Sequence, residues 1–171
     1  MPFRNNTQSV IPIKLGIVNS FIVKGRKTLI VDTGYPGNGE KILRHLHRNS
    51  IKTEDVSLII LTHAHIDHYG SAEELKAKTG APIAIHRADA EYLKEGINYI
   101  GRPTGLYGRI LKSFFIRADE SISKSIKADI IFDDDEDLRG FGIDGKIIHT
   151  PGHTEGSTSV ILSSSEAIVG D

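Results

Sequence analysis

Cysteine is absent from the 171-residue chain. That excludes disulfides and thiolate metal sites together, so any bound metal must be held by histidine, carboxylate or backbone oxygen. Long apolar runs are missing too, and none approaches the roughly 20 residues that a membrane-spanning helix needs. The N-terminal stretch MPFRNNTQSV lacks the basic-then-apolar layout of a secretory leader, so the expected location is cytoplasmic, with no membrane partner. Nor is there an excess of one charge: 21 basic residues stand against 22 acidic ones, for a formal net charge of -1. A phosphate-backbone binder carries an evident basic surplus, so a nucleic-acid partner is not expected. Repeats of short period and low-complexity segments are also lacking.

What remains is an ordinary globular composition, 39% hydrophobic and 25% charged, of a length that implies one domain over residues 1–171. VNSFIVKG and KTLIVDTG read as strands joined by a hairpin at KGRK. Ile42, Leu43 and Leu46 give residues 40–49 a helical apolar stripe. DVSLIILTH is a continuous apolar run, expected of a strand covered on both faces. SAEELKAKTG follows as a helix, with Ser71 and Glu74 spaced as a capping box and Gly80 as its stop. APIAIH is the next strand and RADAEYLKEG the next helix. FGIDGKIIHT carries a hairpin signal at Asp144-Gly145, and STSVILSSSEAIVGD reads as two more strands. Strand-rich and helix-bearing blocks alternate, which implies a mixed α/β or α+β domain with helices packed on sheets.

The stretch LTHAHIDHYG, residues 61–70, directly follows the apolar run VSLII and concentrates His63, His65, Asp67 and His68 in one short segment. HLH at residues 45–47 has the same H-x-H spacing and serves as an internal control. On a helix, residues two apart point about 200° apart, so His45 and His47 cannot easily share an ion. On an extended backbone they point to the same side, so His63 and His65 can converge on one cation, with Asp67 and His68 offering oxygen and nitrogen to a neighbouring point. The alternative is a hydrogen-bonded surface turn that happens to be rich in histidine.

THAHIDHYGSA resembles the H-x-H-x-D-H signature of the metallo-β-lactamase superfamily. LIVDTG, HTPGHTEGSTSV and AIVGD resemble three further motifs of that family in the same chain order. The resemblance implies an α+β fold, an αββα sandwich. It also implies a first metal on His63, His65 and His153, a second on Asp67 and His68, and Asp171 bridging both. Asp32 would fix the orientation of a ligand histidine; read on its own, it is a turn-former in DTG. Zinc, as one or two ions, is the expected metal, although an all-nitrogen-and-oxygen donor set also suits iron or manganese. His86 and His149 are expected to be structural or to lie at the pocket edge.

The resemblance further implies a hydrolase. A coordinated water has its pKa lowered to about 7, which supplies hydroxide at neutral pH, and Asp67 would orient that nucleophile and carry a proton to the leaving group. A small-molecule ester, thioester or lactone is the expected substrate, and no Gly-x-Ser-x-Gly elbow offers a serine alternative. The irregular, aromatic-bearing stretch of residues 97–115 falls where a pocket lid or a packed helix pair would lie. Family members run on past the position of Asp171, so a C-terminal strand and helix, with one more ligand histidine, are expected to be missing. That would weaken the second site and could favour a homodimer. Two rival readings stay open: a mononuclear iron dioxygenase on His63, His153 and Asp171, and a metal-binding remnant without turnover.

Overall fold

In a computed structural model, residues 8–97 and 125–171 are described; the stretch expected to form a pocket lid or a packed helix pair, apart from Ile97, lies outside them. Three antiparallel strands open the chain: β1 (Ser9–Lys14), β2 (Asn19–Lys24) and β3 (Thr28–Val31). From β3 onward the neighbours are parallel, through β4 (Val56–Ile60), β5 (Ile83–His86) and β6 (Ile130–Phe132). The six form one sheet in sequence order. Parallel neighbours cannot be joined by tight turns, and the crossovers here carry helices. These are α1 (Gly39–Arg48), the short α2 (Ile66–Tyr69), α3 (Ala72–Thr79) and α4 (Arg87–Glu95). A second, antiparallel sheet holds β7 (Glu136–Asp137), β8 (Gly145–His149), β9 (Thr158–Leu162) and β10 (Ala167–Val169), in the order β10-β9-β8-β7.

Alternation along the strands shows how the layers stack, because successive side chains point to opposite faces. Ile30, Ile59, Ile83 and Ile85 join Ile42 and Leu46 of α1, Leu75 of α3 and Leu93 of α4 in one core. Their neighbours Leu29, Val31, Leu58, Ile60 and Ala84 point the other way and meet Ile147, Val160 and Ile168 of the second sheet. The central strands are therefore covered on both faces, as the unbroken apolar run at residues 58–61 requires. Each fully buried Ile or Leu contributes on the order of 1.5–3 kcal/mol, and two cores share the six-stranded sheet between them. The architecture is mixed α+β. Helices cover one face of the sandwich, and among the described residues no helix covers the outer face of the four-stranded sheet.

Two local expectations are corrected. Asp144-Gly145 is not a two-residue hairpin turn: β7 and β8 pair through Glu136↔Ile147, and a 3₁₀ turn at Leu138–Phe141 lies between them. The left-handed residue is Gly142, at φ 84°, and buried Leu138 anchors the wider loop in the inter-sheet core. The capping box does not form either. Ser71 precedes α3 but makes no capping bond; its hydroxyl donates to the Tyr35 carbonyl and accepts from the Asn38 N–H, at 2.7 and 2.9 Å. Gly80 does end α3 in the left-handed conformation. In β1, Pro12 is tolerated because the strand lies at the sheet edge.

Candidate metal centre

The C-terminal ends of β3, β4 and β5 open on the same edge of the six-stranded sheet, where irregular backbone can present side chains. Asp32 lies just past β3 and is 3% exposed. Its φ of 56° is a left-handed conformation that Asp tolerates better than most side chains. The strain is held in place by bonds to β4 and its exit: the Asp32 N–H donates to the Ile60 carbonyl at 2.9 Å. The Asp32 carboxylate accepts both the Thr62 N–H and the Thr62 hydroxyl at 2.8 Å.

Those bonds fix where protons lie in the histidine cluster. A carboxylate only accepts, so the single Thr62 hydroxyl proton goes to Asp32. Its lone pair is left for the His63 Nδ1–H, 3.1 Å away, and His63 Nε2 therefore presents a lone pair. His68 Nδ1 likewise donates to Asp32 Oδ2 at 2.8 Å. Asp32 thus holds His68 directly and His63 through Thr62, a role for Thr62 that no sequence pattern signalled.

His63, His65 and His153 meet. His63 Nε2 lies 3.0 Å from His65 Nδ1, and His153 Nε2 lies 2.9 Å from the same atom. The three rings are nearly perpendicular to one another, at 85°, 87° and 89°. Zinc–nitrogen bonds of about 2.0–2.1 Å in a tetrahedron set ligand nitrogens about 3.4 Å apart, close to what these residues show. Residues 62–64 form a bend rather than extended strand, so the convergence of His63 and His65 owes as much to that bend as to strand alternation. His153 arrives from the loop between β8 and β9.

A second constellation adjoins the first. His63, His68 and Asp171 bring ligand atoms within 4.8 Å of one another. His68 Nε2 is buried and makes no hydrogen bond. Carboxylate oxygens of Asp171 and Asp67 stand 3.7 and 3.8 Å from it, too far for hydrogen bonds and fitting for ligands of one cation. An orphaned buried nitrogen facing two carboxylates fits a divalent ion. Neither the dioxygenase set His63, His153 and Asp171 nor the set Asp67, His68 and Asp171 is one of the two groupings, and Asp67 belongs to neither.

Electrostatics prepare His63 and His153 for a cation, whereas His68 holds a proton that a cation would have to displace. Burial, and then the rings of His68, His65 and His153, push the His63 imidazole well below the ordinary histidine range, keeping it neutral. Burial, and then His65, lower His153, against the opposing pull of Asp171. Burial also disfavours charge on His68, but Asp32, with Asp67 and Asp171, outweighs it and raises that group to about 9. Neutral imidazoles are the ligating form.

The other histidines behave as controls. His45 and His47 sit on α1 and join no ligand group among the described residues. Both nitrogens of His86 are engaged: Nδ1 accepts the Ala88 N–H and caps α4, and Nε2 donates to the Asp133 carbonyl at 2.8 Å. His149 stacks on His86 with centroids 3.9 Å apart. Sequence reading gave no role to Asp89, which is 1% exposed and bonded to both ligand loops. The available signal was an acid four residues before Leu93, on the buried face of α4.

Packing against the cluster is tight at Gly70, which ends α2. A Cβ there would fall 2.4 Å from Pro36 Cδ, 2.5 Å from Pro36 N and 2.6 Å from the Ile66 carbonyl. Backbone and ring cannot swing aside, so Gly70→Ala is expected to cost about 1–3 kcal/mol, read as a lower midpoint in urea unfolding. An unchanged midpoint would show that the Tyr35–Gly37 loop yields freely.

The model of the metallo-β-lactamase superfamily matches residues 13–169. A probable metallo-hydrolase of Methanocaldococcus jannaschii is 33% identical over 153 residues, covering 90% of this chain and 66% of that protein. A probable metallo-hydrolase of Bacillus subtilis is 27% identical, covering 87% and 62%. Among solved structures, a subclass B3 metallo-β-lactamase of Bradyrhizobium japonicum superposes with a TM-score of 0.69 at 23% identity, covering 95% of this chain and 58% of that one. A class B3 di-zinc metallo-β-lactamase from an Alaskan soil metagenome gives 0.65 at 22%, covering 95% and 58%. The chain spans about two thirds or less of each of these relatives.

Proposed function

This chain belongs to the metallo-β-lactamase superfamily, and on that premise we propose that it is a metal-dependent hydrolase of a small-molecule ester, thioester or lactone. The observation that carries the reading is the meeting of three histidine nitrogens from segments about 90 residues apart, |i−j| = 88 between His65 and His153, beside the unbonded Nε2 of His68. His63, His65 and His153 would hold the first ion. His68 and Asp67 would hold the second, with Asp171 between the two. Zinc is the proposed metal because neutral imidazole and carboxylate suit it, and the solved relative described above as di-zinc shares the fold.

When bound, such an ion supplies Lewis acidity and a nucleophile at neutral pH. The chain's own residues do the rest. Asp32 and Thr62 keep the lone pair of His63 turned into the site, and Asp32 does the same for His68 by taking its Nδ1–H. Asp67, half-buried at the start of α2, is the group we assign to orienting the nucleophile and returning a proton to the leaving group. A net charge of -1 favours carbonyl substrates over polyanionic phosphodiesters.

The test is metal analysis of protein purified without added metal, followed by turnover of a panel of thioesters, lactones and a phosphodiester. Zinc at one to two ions per chain with thioester or lactone turnover is expected. Iron at one per chain with no hydrolysis, or no bound metal, would overturn the proposal.

A further inference from the structure

We propose that Asp89 is a positioning residue that sets the His153 loop against the His63–His65 segment and thereby determines the geometry of the first metal site. The inference rests on the reading that these three histidines hold an ion. The two ligand segments come from different sheets, residues 62–68 after β4 and residues 150–157 before β9. Among the described residues, one side chain from outside the two segments is hydrogen-bonded to both, and it acts beside the bonds that the Thr158 N–H and hydroxyl donate to the Thr62 carbonyl at 2.9 and 3.2 Å. Asp89 Oδ2 accepts the Ala64 N–H at 2.9 Å, between His63 and His65, and the Thr154 hydroxyl at 2.8 Å, next to His153. Its Oδ1 accepts the Gly156 N–H at 2.8 Å.

The proton inventory leaves no slack. Thr154 gives its hydroxyl proton to Asp89, so the 2.9 Å contact between Thr154 Oγ1 and Ser157 Oγ is a donation from Ser157. Ser157 Oγ in turn accepts the Thr154 N–H at 2.9 Å. The whole arrangement is buried, with Asp89 1%, Thr154 4% and Ser157 5% exposed. Water cannot readily replace a lost bond there, and an unmatched donor carries its full desolvation cost. Space is equally restricted: a Cβ at residue 156 would lie 2.6 Å from Asp89 Cγ. The carboxylate therefore fills a socket shaped by the loop that carries His153.

Asp89→Asn is the discriminating change, because it preserves shape while one acceptor becomes a donor. If the remaining oxygen keeps the two bonds of Oδ2, the new NH₂ faces the Gly156 N–H, donor against donor, and the His153 loop is pushed off. Partners that orient metal ligands are worth roughly 10–100-fold in metal affinity, and that is the expected loss. Zinc affinity would be measured on metal-depleted protein by competition with a chromophoric chelator. Cobalt(II), loaded in place of zinc, would report coordination geometry through its ligand-field absorption. Thr154→Val, which removes one bond of the three, should give a smaller loss and Thr154→Ser should restore wild-type values; this pair decides the matter if Asp89→Asn does not fold.

Leu75→Ala, which truncates a buried side chain of α3 that makes none of these hydrogen bonds, controls for plain destabilisation. It should lower the unfolding midpoint while leaving zinc affinity and the cobalt spectrum of the folded protein as in wild type. Unchanged affinity and spectrum in Asp89→Asn, or in Thr154→Val where Asn does not fold, would overturn the assignment, as would an equal loss in Leu75→Ala. Failure of the wild-type protein to take up zinc or cobalt would instead strike at the metal reading itself.

Discussion

Replacement of His65 by alanine is expected to empty the first metal position and abolish hydrolysis. His65 Nδ1 is the common neighbour of the other two ligand nitrogens, 3.0 Å from His63 and 2.9 Å from His153. A site of three protein ligands reduced to two loses far more affinity than the roughly 10–100-fold that follows loss of an orienting partner. Metal per chain, measured after dialysis against a weak chelator, should fall by about the one ion that such a site holds, with turnover at background. His47→Ala is the matched control, since His47 has the same two-residue spacing from His45 but sits exposed on α1. Its metal content and activity should be those of wild type. Equal metal in the His65 variant and wild type would remove the basis for the site.

The contrast between those two histidine pairs also shows what a sequence can disclose about a site. His63, His65, Asp67 and His68 were legible because residue type, tight spacing and a preceding strand pointed the same way. His153, Asp171 and Asp32 were legible only through motif resemblance, since nothing in local propensity joins residue 32 to residue 68. The structure joins them by a 2.8 Å bond across 36 positions. Asp89 was missed for the same reason in sharper form. Its bonds span 25, 65 and 67 positions, and each depends on the folded sheets being in place. The misread Asp144-Gly145 turn is the reverse case: a strong local dipeptide signal yielded to burial of Leu138 and Ile143 in the inter-sheet core. The strands themselves, carried by runs such as residues 56–61, needed no long-range information.

Metal-free protein should lose stability as the pH rises from about 6.5 to above 9, and Asp32→Asn should abolish most of that loss. Burial alone would lower the His68 pKa, yet the Asp32 carboxylate at 2.8 Å, aided by Asp67 and Asp171, raises it to about 9 in the folded state. The unfolded value is that of an ordinary histidine, about 6.5. A group whose folded pKa is the higher one binds its proton more tightly when folded, so its contribution is fully present below about 6.5 and vanishes as the pH passes 9. A shift of this size corresponds to on the order of 3 kcal/mol. Removing the Asp32 charge leaves burial as the largest influence, so the Asn variant should be less stable at pH 6 and change little between pH 6 and pH 9.5. Urea unfolding of chelator-treated wild type and variant across that range isolates the difference, because other titrating groups are common to both. Parallel pH slopes would show that the Asp32–His68 pair does not hold the proton. Where the slopes diverge, the same proton has a second consequence: a cation taken up at His68 Nε2 must displace it. Metal uptake at that position should then release a proton near neutral pH and strengthen as the pH rises towards 9, which a pH-stat titration with zinc would read directly.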